Sequence, residues 1–428
     1  MSLSRIPVIV ALLFITCNRL PTATIRTGIP DGPPPAIPDR PDPAVTISCP
    51  KSWYQVGTGT LAGTVAIDNV SHYVDIWIDT TPMVRYFQPG TTVEFTGDLS
   101  EFPCGPHIIL VGYDGKSTAA AVDTFYITSP LYVSVTSDWE DPFHPDTLLE
   151  LQRSLHEQHQ GLCITHFFGP YTFTDNTSAT QRQDIITVDW LLSMEREYGD
   201  EIGVHIHPWC HFVEYAGVTC KDTPTFYLPD SRDTTGYGVM LSSFTPHETA
   251  LMLTATATLF RKNGLPVPVS FRAGGWCADT ATLHVLAEYG YIADCSTVNR
   301  YALEGHEILQ IFTFQEENWP EINGTSQPFI IKAPGGRTLV EVPDNGVLVD
   351  YVTIEDMERL FQELWTGDAL VKPKVFSIGY HATNISNYVL FQRIDGILDL
   401  LDSFRLADGN GPVVYETVRN IAIQWTSD

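Results

Sequence analysis

Three histidines lie within seven residues in the stretch EIGVHIHPWCHFVEY, residues 201–215. His207 and His211 are spaced i, i+4, and Pro208 stands where a helix can begin, so one helical turn would bring both imidazoles to one side. Imidazole is a good ligand for zinc, cobalt and nickel. We therefore predict that His207 and His211 bind a divalent metal ion. His205 would share a strand face with His207, and we assign it a structural or supporting role.

A catalytic metal ion usually has three protein ligands and one open position for water or substrate. The third ligand must come from another part of the chain, and acidic residues are grouped in the segment VSVTSDWEDPF. This segment carries Asp138, Glu140 and Asp141 directly after an apolar run. One carboxylate of this group can complete the metal site, and another can take a proton from a nearby water.

Titratable or charged side chains also end later apolar runs. Arg272 ends VSFR, Asp294 ends YIAD and His381 ends FSIGYH. From residue 129 to 428 such runs alternate with helical patterns, which predicts an α/β domain with a parallel sheet. The length suits a (β/α) barrel, in which the active site lies at the carboxyl ends of the strands. Five such strand ends in chain order therefore predict one composite site.

One helix of this domain has complete start and stop signals. In TPHETALMLTATATLFRKNG, Thr245 can cap the helix, Pro246 suits its first position and Glu248 completes a capping box. Gly264 is expected to end the helix. The position of this helix in the predicted order of strands and helices is therefore well defined.

The region before residue 129 has a different pattern. Residues 44–128 alternate short apolar runs with turn signals, and CGPHIILVGYDGKSTAAAVDTFYI resembles the last two strands of an immunoglobulin-like module, so we predict a small β-sandwich. Residues 26–43 are rich in proline and are predicted to be a linker. Residues 1–25 look like an export signal. We expect a secreted or cell-surface protein, either soluble or lipid-anchored through Cys17.

The overall charge excludes some partners. The chain has 24 Lys+Arg against 51 Asp+Glu, a formal net charge of −27 at pH 7. Such a chain repels nucleic acid and anionic membranes, so we expect no nucleic-acid partner and no nucleotide cofactor. There are eight cysteines, and export would permit disulfides. Cys210–Cys220 and Cys49–Cys104 are the pairs to test first, although sequence alone leaves the connectivity open.

The order of the motifs resembles that of the polysaccharide deacetylases, the carbohydrate esterases with a NodB homology domain. TSDWED is similar to the first family motif, HPWCH preceded by EIG to the second, FRAGGW to the third, ADCS to the fourth and GYHAT to the fifth. The resemblance covers roughly residues 130–425. It implies a distorted (β/α) barrel, a divalent metal ion (zinc, or else cobalt or nickel) and removal of acetyl groups from N-acetylated, or O-acetylated, polysaccharide.

The resemblance also implies catalytic roles. Asp138 matches the family's base, and Arg272 matches the arginine that braces this base. His381 matches the general acid. Asp294 matches the acid that partners either the arginine or the late histidine.

The first motif departs from the family pattern at a metal ligand. Trp139 stands where the family has a second aspartate that binds the metal ion. Some relatives carry an acid two residues after the base, and residues i and i+2 of a strand end share a face. We therefore assign Glu140 as the third ligand beside His207 and His211, with Asp141 as the alternative.

The third motif departs at two positions that would border the substrate. Gly274 and Gly275 stand where proline and an aromatic residue are common in the family. The backbone N–H of Gly275 can stabilise an oxyanion. Trp276 is predicted to restore part of the aromatic wall of the substrate groove.

Two other functions remain open at this point. The HIH sequence is also typical of other metal-dependent amidohydrolases, which act on non-peptide C–N bonds. Alternatively, Trp139 in the first motif is consistent with a non-catalytic surface protein that binds carbohydrate through a decayed deacetylase domain. The metal content of the purified protein separates an enzyme from a decayed domain.

Overall fold

The structure is a computed structural model that describes residues 26–68, 72–141, 143–175, 178–305 and 309–426. The predicted export signal, residues 1–25 with Cys17, lies outside these residues. Among the helices of the described ranges, none has both the length and the apolar composition needed to cross a membrane.

The described residues contain nineteen β-strands and nine α-helices. The strands are β1 (Arg26–Gly28), β2 (Val45–Ser48), β3 (Trp53–Gln55), β4 (Thr60–Ile67), β5 (Tyr73–Ile78), β6 (Thr81–Phe87), β7 (Thr92–Asp98), β8 (Gly105–Tyr113), β9 (Ala121–Thr128), β10 (Leu131–Trp139), β11 (Ile164–Phe168), β12 (Glu201–Ile206), β13 (Ser270–Ala273), β14 (Ala293–Asp294), β15 (Phe329–Lys332), β16 (Thr338–Glu341), β17 (Val347–Leu348), β18 (Lys374–His381) and β19 (Val413–Tyr415). The helices are α1 (Asp146–Gln158), α2 (Ser178–Tyr198), α3 (Cys210–Tyr215), α4 (Pro246–Lys262), α5 (Thr280–Glu288), α6 (Leu309–Asn318), α7 (Ile354–Leu364), α8 (Tyr388–Asp402) and α9 (Val418–Trp425).

The chain forms two compact units, and the described residues of the first are 26–49, 62–68, 72–97 and 108–124. Its strands pair antiparallel: β5 lies between β6 and β8, β1 pairs with β6, and β2 pairs with β4. The alternation of buried and exposed residues along β7 is that of a half-buried strand. The strands agree with the all-β pattern of the sequence, while the immunoglobulin-like topology stays a prediction.

The proline-rich segment 26–43 differs from the predicted free linker. Residues Arg26–Gly28 form β1 on β6, and Ala36 forms an isolated bridge with Thr118. The segment is therefore packed on the first unit at two points. Proline has no backbone N–H to donate to a neighbouring strand, but it is tolerated at the edge of a sheet.

The second unit is a mixed α/β fold around a parallel sheet. Eight strands run parallel in the order β16-β14-β13-β12-β11-β10-β18-β17, β15 adds antiparallel to β16, and β19 pairs with the start of β10. In the described part of the chain, the hydrogen-bonded path runs from β15 to β17 without closing into a ring. The strand–helix alternation thus predicted the α/β class correctly, and the sheet corresponds to an open, half-barrel arrangement.

The helix that begins after Thr245 has the predicted ends. Thr245 accepts a hydrogen bond from the N–H of Glu248 (3.3 Å), and Glu248 Oε2 accepts one from the N–H of Thr245 (2.7 Å). Helix α4 begins at Pro246, and Gly264, just beyond its end, has a φ of +81°. The capping box and the left-handed glycine therefore fix this helix as the sequence predicted.

The central strand β10 has two faces of different chemistry. Every residue of β10 is buried. Leu131, Val133 and Val135 belong to a hydrophobic core cluster. Because side chains alternate along a strand, Thr136 and Asp138 lie on the opposite face. This alternation directs the polar face of β10 toward the neighbouring strand ends.

Candidate active site

Strand register brings the chemically active side chains together at the carboxyl ends of the parallel strands. Asp138 of β10 is paired with His381 of β18, and His205 of β12 is paired with Arg272 of β13. Because all these strands are parallel, their carboxyl ends meet at one edge of the sheet. The strand-end rule used on the sequence therefore places these groups at the same edge.

Asp138 forms a buried ion pair with Arg272. Nη1 of Arg272 lies 2.9 Å from Asp138 Oδ1, and its Nη2 lies 3.4 Å from Asp344 Oδ2. Arg272 also donates to Thr136 Oγ1 (2.9 Å) and to the carbonyl of Cys295 (3.0 Å). Burial opposes the charged guanidinium, but the two carboxylates outweigh it and raise the pKa of Arg272. Asp138 is thus held beside a permanent positive charge.

Glu140, His205 and His207 form a second group next to this ion pair. Oε1 of Glu140 lies 3.1 Å from Nε2 of His207 and 3.9 Å from Nε2 of His205. One potential ligand atom from each residue lies within 4.8 Å of the others. The group combines two imidazoles and one carboxylate, which is a common ligand set of catalytic zinc.

The hydrogen bonds behind the two imidazoles determine which nitrogen faces the group. Nδ1 of His205 lies 3.0 Å from the carbonyl oxygen of Arg272, and Nδ1 of His207 lies 2.8 Å from that of Tyr237. A carbonyl only accepts, so we assign the proton to Nδ1 and a lone pair to Nε2 in both rings. Nε2 of His205 is buried without a hydrogen-bond partner. Lone pairs that converge on a carboxylate oxygen fit a cation, so these residues suit a divalent metal ion.

His381 lies between two carboxylates. Its Nε2 lies 3.3 Å from Glu140 Oε1, and its Nδ1 lies 3.0 Å from Asp350 Oδ2. Burial favours the neutral ring, but Glu140 and Asp350 outweigh it and hold the pKa of His381 well above its usual value. Burial likewise opposes ionised Glu140, yet the charge of His381 holds the pKa of Glu140 well below its usual value. His381 is therefore equipped to deliver a proton.

These residues border one cavity of about 220 Å³. Asp138, Glu140, His205 and His381 form its polar side. Its other walls include the rings of Phe226, Tyr227, Tyr237, Trp276 and Tyr351. The volume lies below the roughly 300–1,000 Å³ that is usual for drug-sized ligands. The cavity therefore fits the reacting group of a larger substrate.

His211, a predicted metal ligand, lies apart from this group. Its Nδ1 lies 2.8 Å from Thr174 Oγ1, and His205 takes the place expected for it beside Glu140. The reason is local: helix α3 begins only at Cys210, so His207 is not in the same helical turn as His211. His205 and His207 instead follow the i, i+2 rule of a strand, which directs both rings to one face.

Asp294 also differs from its predicted role. Its carboxyl group accepts bonds from the N–H (3.0 Å) and hydroxyl (2.8 Å) of Ser296. Burial, and then the neighbouring Glu341, raise the pKa of Asp294 well above its usual value. Asp344 partners Arg272 and Asp350 partners His381 in its place. Asp344 follows β16 and Asp350 follows β17, two short strands that were not predicted from the sequence; the apolar run GVLV before Asp350 was a signal that could have found it.

Asp141, the alternative third ligand, is not in the metal-competent group. Burial raises its pKa, and Thr383 opposes the shift through a hydrogen bond. Among the residues of this segment, Glu140 is the one beside the imidazoles, as the i, i+2 argument predicted. Trp139 points away, and its indole N–H donates to Ser137 Oγ (2.9 Å).

The two glycines of FRAGGW are required by close packing. A Cβ on Gly274 would lie 2.6 Å from Nδ1 of His207, and one on Gly275 would lie 2.7 Å from the ring of Phe226. Gly275 also has a φ of +58°, which favours glycine. Trp276 is 3% exposed, and its indole N–H donates to Asp344 Oδ2 (3.2 Å). Trp276 therefore lines the cavity but offers little free surface for stacking.

A second histidine–carboxylate group lies in the interior. Asp200 Oδ2 lies 2.9 Å from Nε2 of His156 and 2.8 Å from Nε2 of His166, and the three side chains are fully buried. Nδ1 of His156 faces the carbonyl of Leu162 (3.2 Å), and Nδ1 of His166 faces Ser137 Oγ (2.7 Å). Each ring nitrogen therefore has a partner, which is typical of a structural hydrogen-bond network.

Cys210, which lies in the HPWCH motif, forms a disulfide with Cys220, as the sequence suggested. This bond closes the loop that follows the histidines. Cys49 and Cys104, the other pair to test, are free thiols. The Cys49–Cys104 pairing is therefore not formed.

No protein-family model and no curated protein matches the chain. Several solved structures align with most of the chain at low TM-score. A putative polysaccharide deacetylase from Mycobacterium smegmatis aligns at TM-score 0.42 and 14% identity over 70% of this chain and 91% of that one. An allantoinase aligns at TM-score 0.42 and 14% identity over 69% and 90%. A family 4 carbohydrate esterase from Streptomyces lividans aligns at TM-score 0.31 and 14% identity over 66% and 96%. Similarity at this level carries no argument about function, which must come from the site.

Proposed function

We propose that the chain is a zinc-dependent hydrolase that removes acetyl groups from N-acetylated polysaccharide, with O-acetyl groups as alternative substrates. One observation carries the proposal. Nε2 of His205 and Nε2 of His207 both face Glu140, which lines the same cavity as Asp138 and His381. A base, an acid and a cation site thus face the same small volume.

Glu140, His205 and His207 are the residues that would hold the metal ion. When bound there, zinc supplies Lewis acidity that polarises an acyl oxygen and makes a water more acidic. Cobalt and nickel prefer similar ligands and are the alternatives. His211, bonded to Thr174, is not needed for this set.

Asp138 acts as the general base. It takes a proton from the water that attacks the acetyl carbon, and its ion pair with Arg272 holds the carboxylate in place. The N–H of Gly275 is suited to stabilise the negative charge that develops on the acetyl oxygen. Asp344 interacts with the other terminal nitrogen of the Arg272 guanidinium, Nη2.

His381 acts as the general acid. As the tetrahedral intermediate collapses, the C–N bond breaks and the amine nitrogen takes a proton from Nε2 of His381. Asp350 stabilises the charged imidazole before this transfer. The products are acetate and a free amino sugar. Because a free amide anion is a very poor leaving group, this proton is essential for amides.

A second candidate is a different metal-dependent amidohydrolase that acts on another non-peptide C–N bond. The observation in its favour is that His205 and His207, the HIH pair, lie together beside Glu140. Cyclic amides therefore belong in the substrate panel. A non-catalytic carbohydrate-binding protein would gain nothing from the buried Asp138–Arg272 pair beside a cation site.

Export supports a polysaccharide outside the cytoplasm as the partner. The sequence of residues 1–25 and the Cys210–Cys220 disulfide favour a secreted or cell-surface protein. A net charge of −27 disfavours nucleic acid as a partner.

The test is acetate release by protein stripped with a chelator and then reloaded with zinc. The panel contains peptidoglycan, chitin oligomers, an N-acetylated exopolysaccharide and acetylated xylan; cyclic amides are tested separately by following ring opening, because their hydrolysis releases no acetate. We expect zinc to restore acetate release from at least one N-acetylated polymer. His205→Ala should lose zinc, whereas His211→Ala should keep it. Zinc-loaded protein that hydrolyses none of these substrates would reject the proposal.

A further inference from the structure

Tyr237 contacts two of the three residues that would hold the metal ion. Its hydroxyl lies 2.8 Å from Glu140 Oε2, and its carbonyl oxygen lies 2.8 Å from Nδ1 of His207. Its ring is stacked on the imidazole of His207, with centroids 4.2 Å apart and planes 9° apart. A single residue thus orients two prospective ligands through three separate contacts.

The contact with Glu140 separates the functions of the two carboxylate oxygens. Oε2 accepts the hydroxyl of Tyr237, and Oε1 faces the imidazoles of His207 and His381. A carboxylate with a hydrogen bond on one oxygen presents mainly the other to a cation. Glu140 would then occupy one position around the ion, which leaves room for water and substrate.

The loop that carries Tyr237 is built to hold it in place. The disulfide Cys210–Cys220 closes the start of this loop, and Asp233 accepts the backbone N–H groups of Thr235 (2.8 Å) and Gly238 (2.7 Å). The N–H of Cys210 donates to the carbonyl of Thr235 (2.8 Å). These bonds fix the backbone on both sides of Tyr237.

Gly236, directly before Tyr237, shows how closely the loop approaches the histidine motif. A Cβ at Gly236 would lie 2.3 Å from the carbonyl oxygen of Pro208, and its φ is +84°. Only glycine fits this approach without strain. The loop is therefore seated against the residue that follows His207, which brings the ring of Tyr237 onto that imidazole.

We infer that Tyr237 is a positioning residue for the metal site. Its hydroxyl donates a hydrogen bond to Oε2 of Glu140, so that Glu140 offers only its other oxygen to the ion. Its carbonyl accepts a hydrogen bond from Nδ1 of His207 and so holds Nε2 of this ring toward the ion. This inference rests on the proposed function. It adds a residue that none of the sequence motifs contains.

The experiment measures zinc binding to the full-length protein and to Tyr237→Phe. The substitution removes only the hydroxyl and keeps the ring and the carbonyl, so the fold and the stacking on His207 are preserved. We expect the zinc dissociation constant to rise about 10- to 100-fold, as is usual when a partner of a metal ligand is lost. X-ray absorption of the zinc-loaded variant should show an additional carboxylate oxygen at the metal ion.

Tyr215→Phe is the matched control. Tyr215 lies on α3 at the start of the same loop and is 50% exposed, so loss of its hydroxyl should leave the dissociation constant unchanged. Equal thermal midpoints of the zinc-free proteins exclude a general loss of structure. Wild-type protein that binds zinc, together with a Tyr237→Phe variant of the same affinity and coordination, would overturn this inference alone. Wild-type protein that binds no zinc would overturn the proposed function as well.

Discussion

The protein contains two groups of histidines around a carboxylate, and their chemistry differs although their composition is the same. In the interior, Asp200 accepts from His156 and His166, whose other nitrogens also have partners. At the strand ends, Nε2 of His207 faces Glu140 at 3.1 Å, and Nε2 of His205, which also faces Glu140, has no hydrogen-bond partner. His156 and His207 have the same two kinds of partner, a backbone carbonyl and a carboxylate, so the unpaired Nε2 of His205 is what distinguishes the two groups. Hydrogen-bond accounting therefore separates the groups where residue type does not.

Solvent access strengthens this contrast. The side chains of His156, His166 and Asp200 have no exposed area, whereas Glu140 and His205 border a cavity of about 220 Å³. A reacting group can therefore reach Glu140 and His205 but not the interior group. The ligand atoms of the interior group are also close enough to hold an ion, but the group is sealed from solvent, so we expect it to contribute to stability.

The largest expected effect is on turnover, from Asp138→Asn. The amide cannot take a proton from water, while the zinc-binding residues remain, so turnover should fall about 10²- to 10⁴-fold. Acetate release and zinc content are measured on the same sample. An unchanged rate at full zinc content would contradict the role of Asp138 as the base.

The same substitution in the interior, Asp200→Asn, should affect stability instead. Its amide would place donors against the N–H groups of His156 and His166, which leaves buried groups unpaired. Breaking such a pair costs about 3–5 kcal/mol of unfolding free energy. Chemical denaturation with and without zinc measures this change. If Asp200→Asn lost zinc at wild-type stability, the distinction between the two groups would fail.

Gly274→Ala should weaken zinc binding, although it changes none of the residues that would bind the ion. A Cβ there would lie 2.6 Å from Nδ1 of His207, so the imidazole must move. We expect a roughly 10- to 100-fold rise in the zinc dissociation constant, the usual size for disturbing the support of a ligand. Gly335→Ala is the control, because its nearest atom would be 3.8 Å away. Equal affinities of the two variants would show that His207 can adjust.

The smallest expected effect is a pH dependence of stability that comes from His144, a histidine outside both groups. Both of its ring nitrogens are buried and unpaired, and it packs against Trp139. Burial lowers the pKa of His144 to about 3. Because His144 in the unfolded chain takes up a proton below its ordinary pKa of 6.5, this contribution to stability is present at higher pH and is lost as the pH falls from 6.5 toward 3.

The slope of this loss cannot exceed about 1.4 kcal/mol per pH unit. Denaturation of the wild type and of His144→Phe at pH 7 and pH 6 isolates the contribution, since the variant has no group to titrate. We expect the stability of the wild type relative to His144→Phe to fall by about 0.7 kcal/mol from pH 7 to pH 6. Parallel pH profiles would show that His144 is not buried in its neutral form.

Much of the fold could be predicted from the sequence because its signals are local. The capping box of Thr245 and Glu248 determined the start of α4, and strand–helix alternation determined the α/β class of the second unit. Strand periodicity also predicted that Asp138 and Glu140 share a face, and the strand-end rule singled out Arg272 and His381. Each of these inferences needs only neighbouring residues and the geometry of one element.

Only the tertiary structure decided which partners these side chains meet. His205 rather than His211 lies beside Glu140, because the helix after the motif begins at Cys210, a conformation set by the closed loop. Tyr237 reaches Glu140 across 97 residues of sequence. Asp344 and Asp350 replace Asp294 as partners, since the carboxyl group of Asp294 is bonded to Ser296. Local sequence fixes the direction of a side chain along its own strand, whereas its partners depend on loops and packing between distant segments.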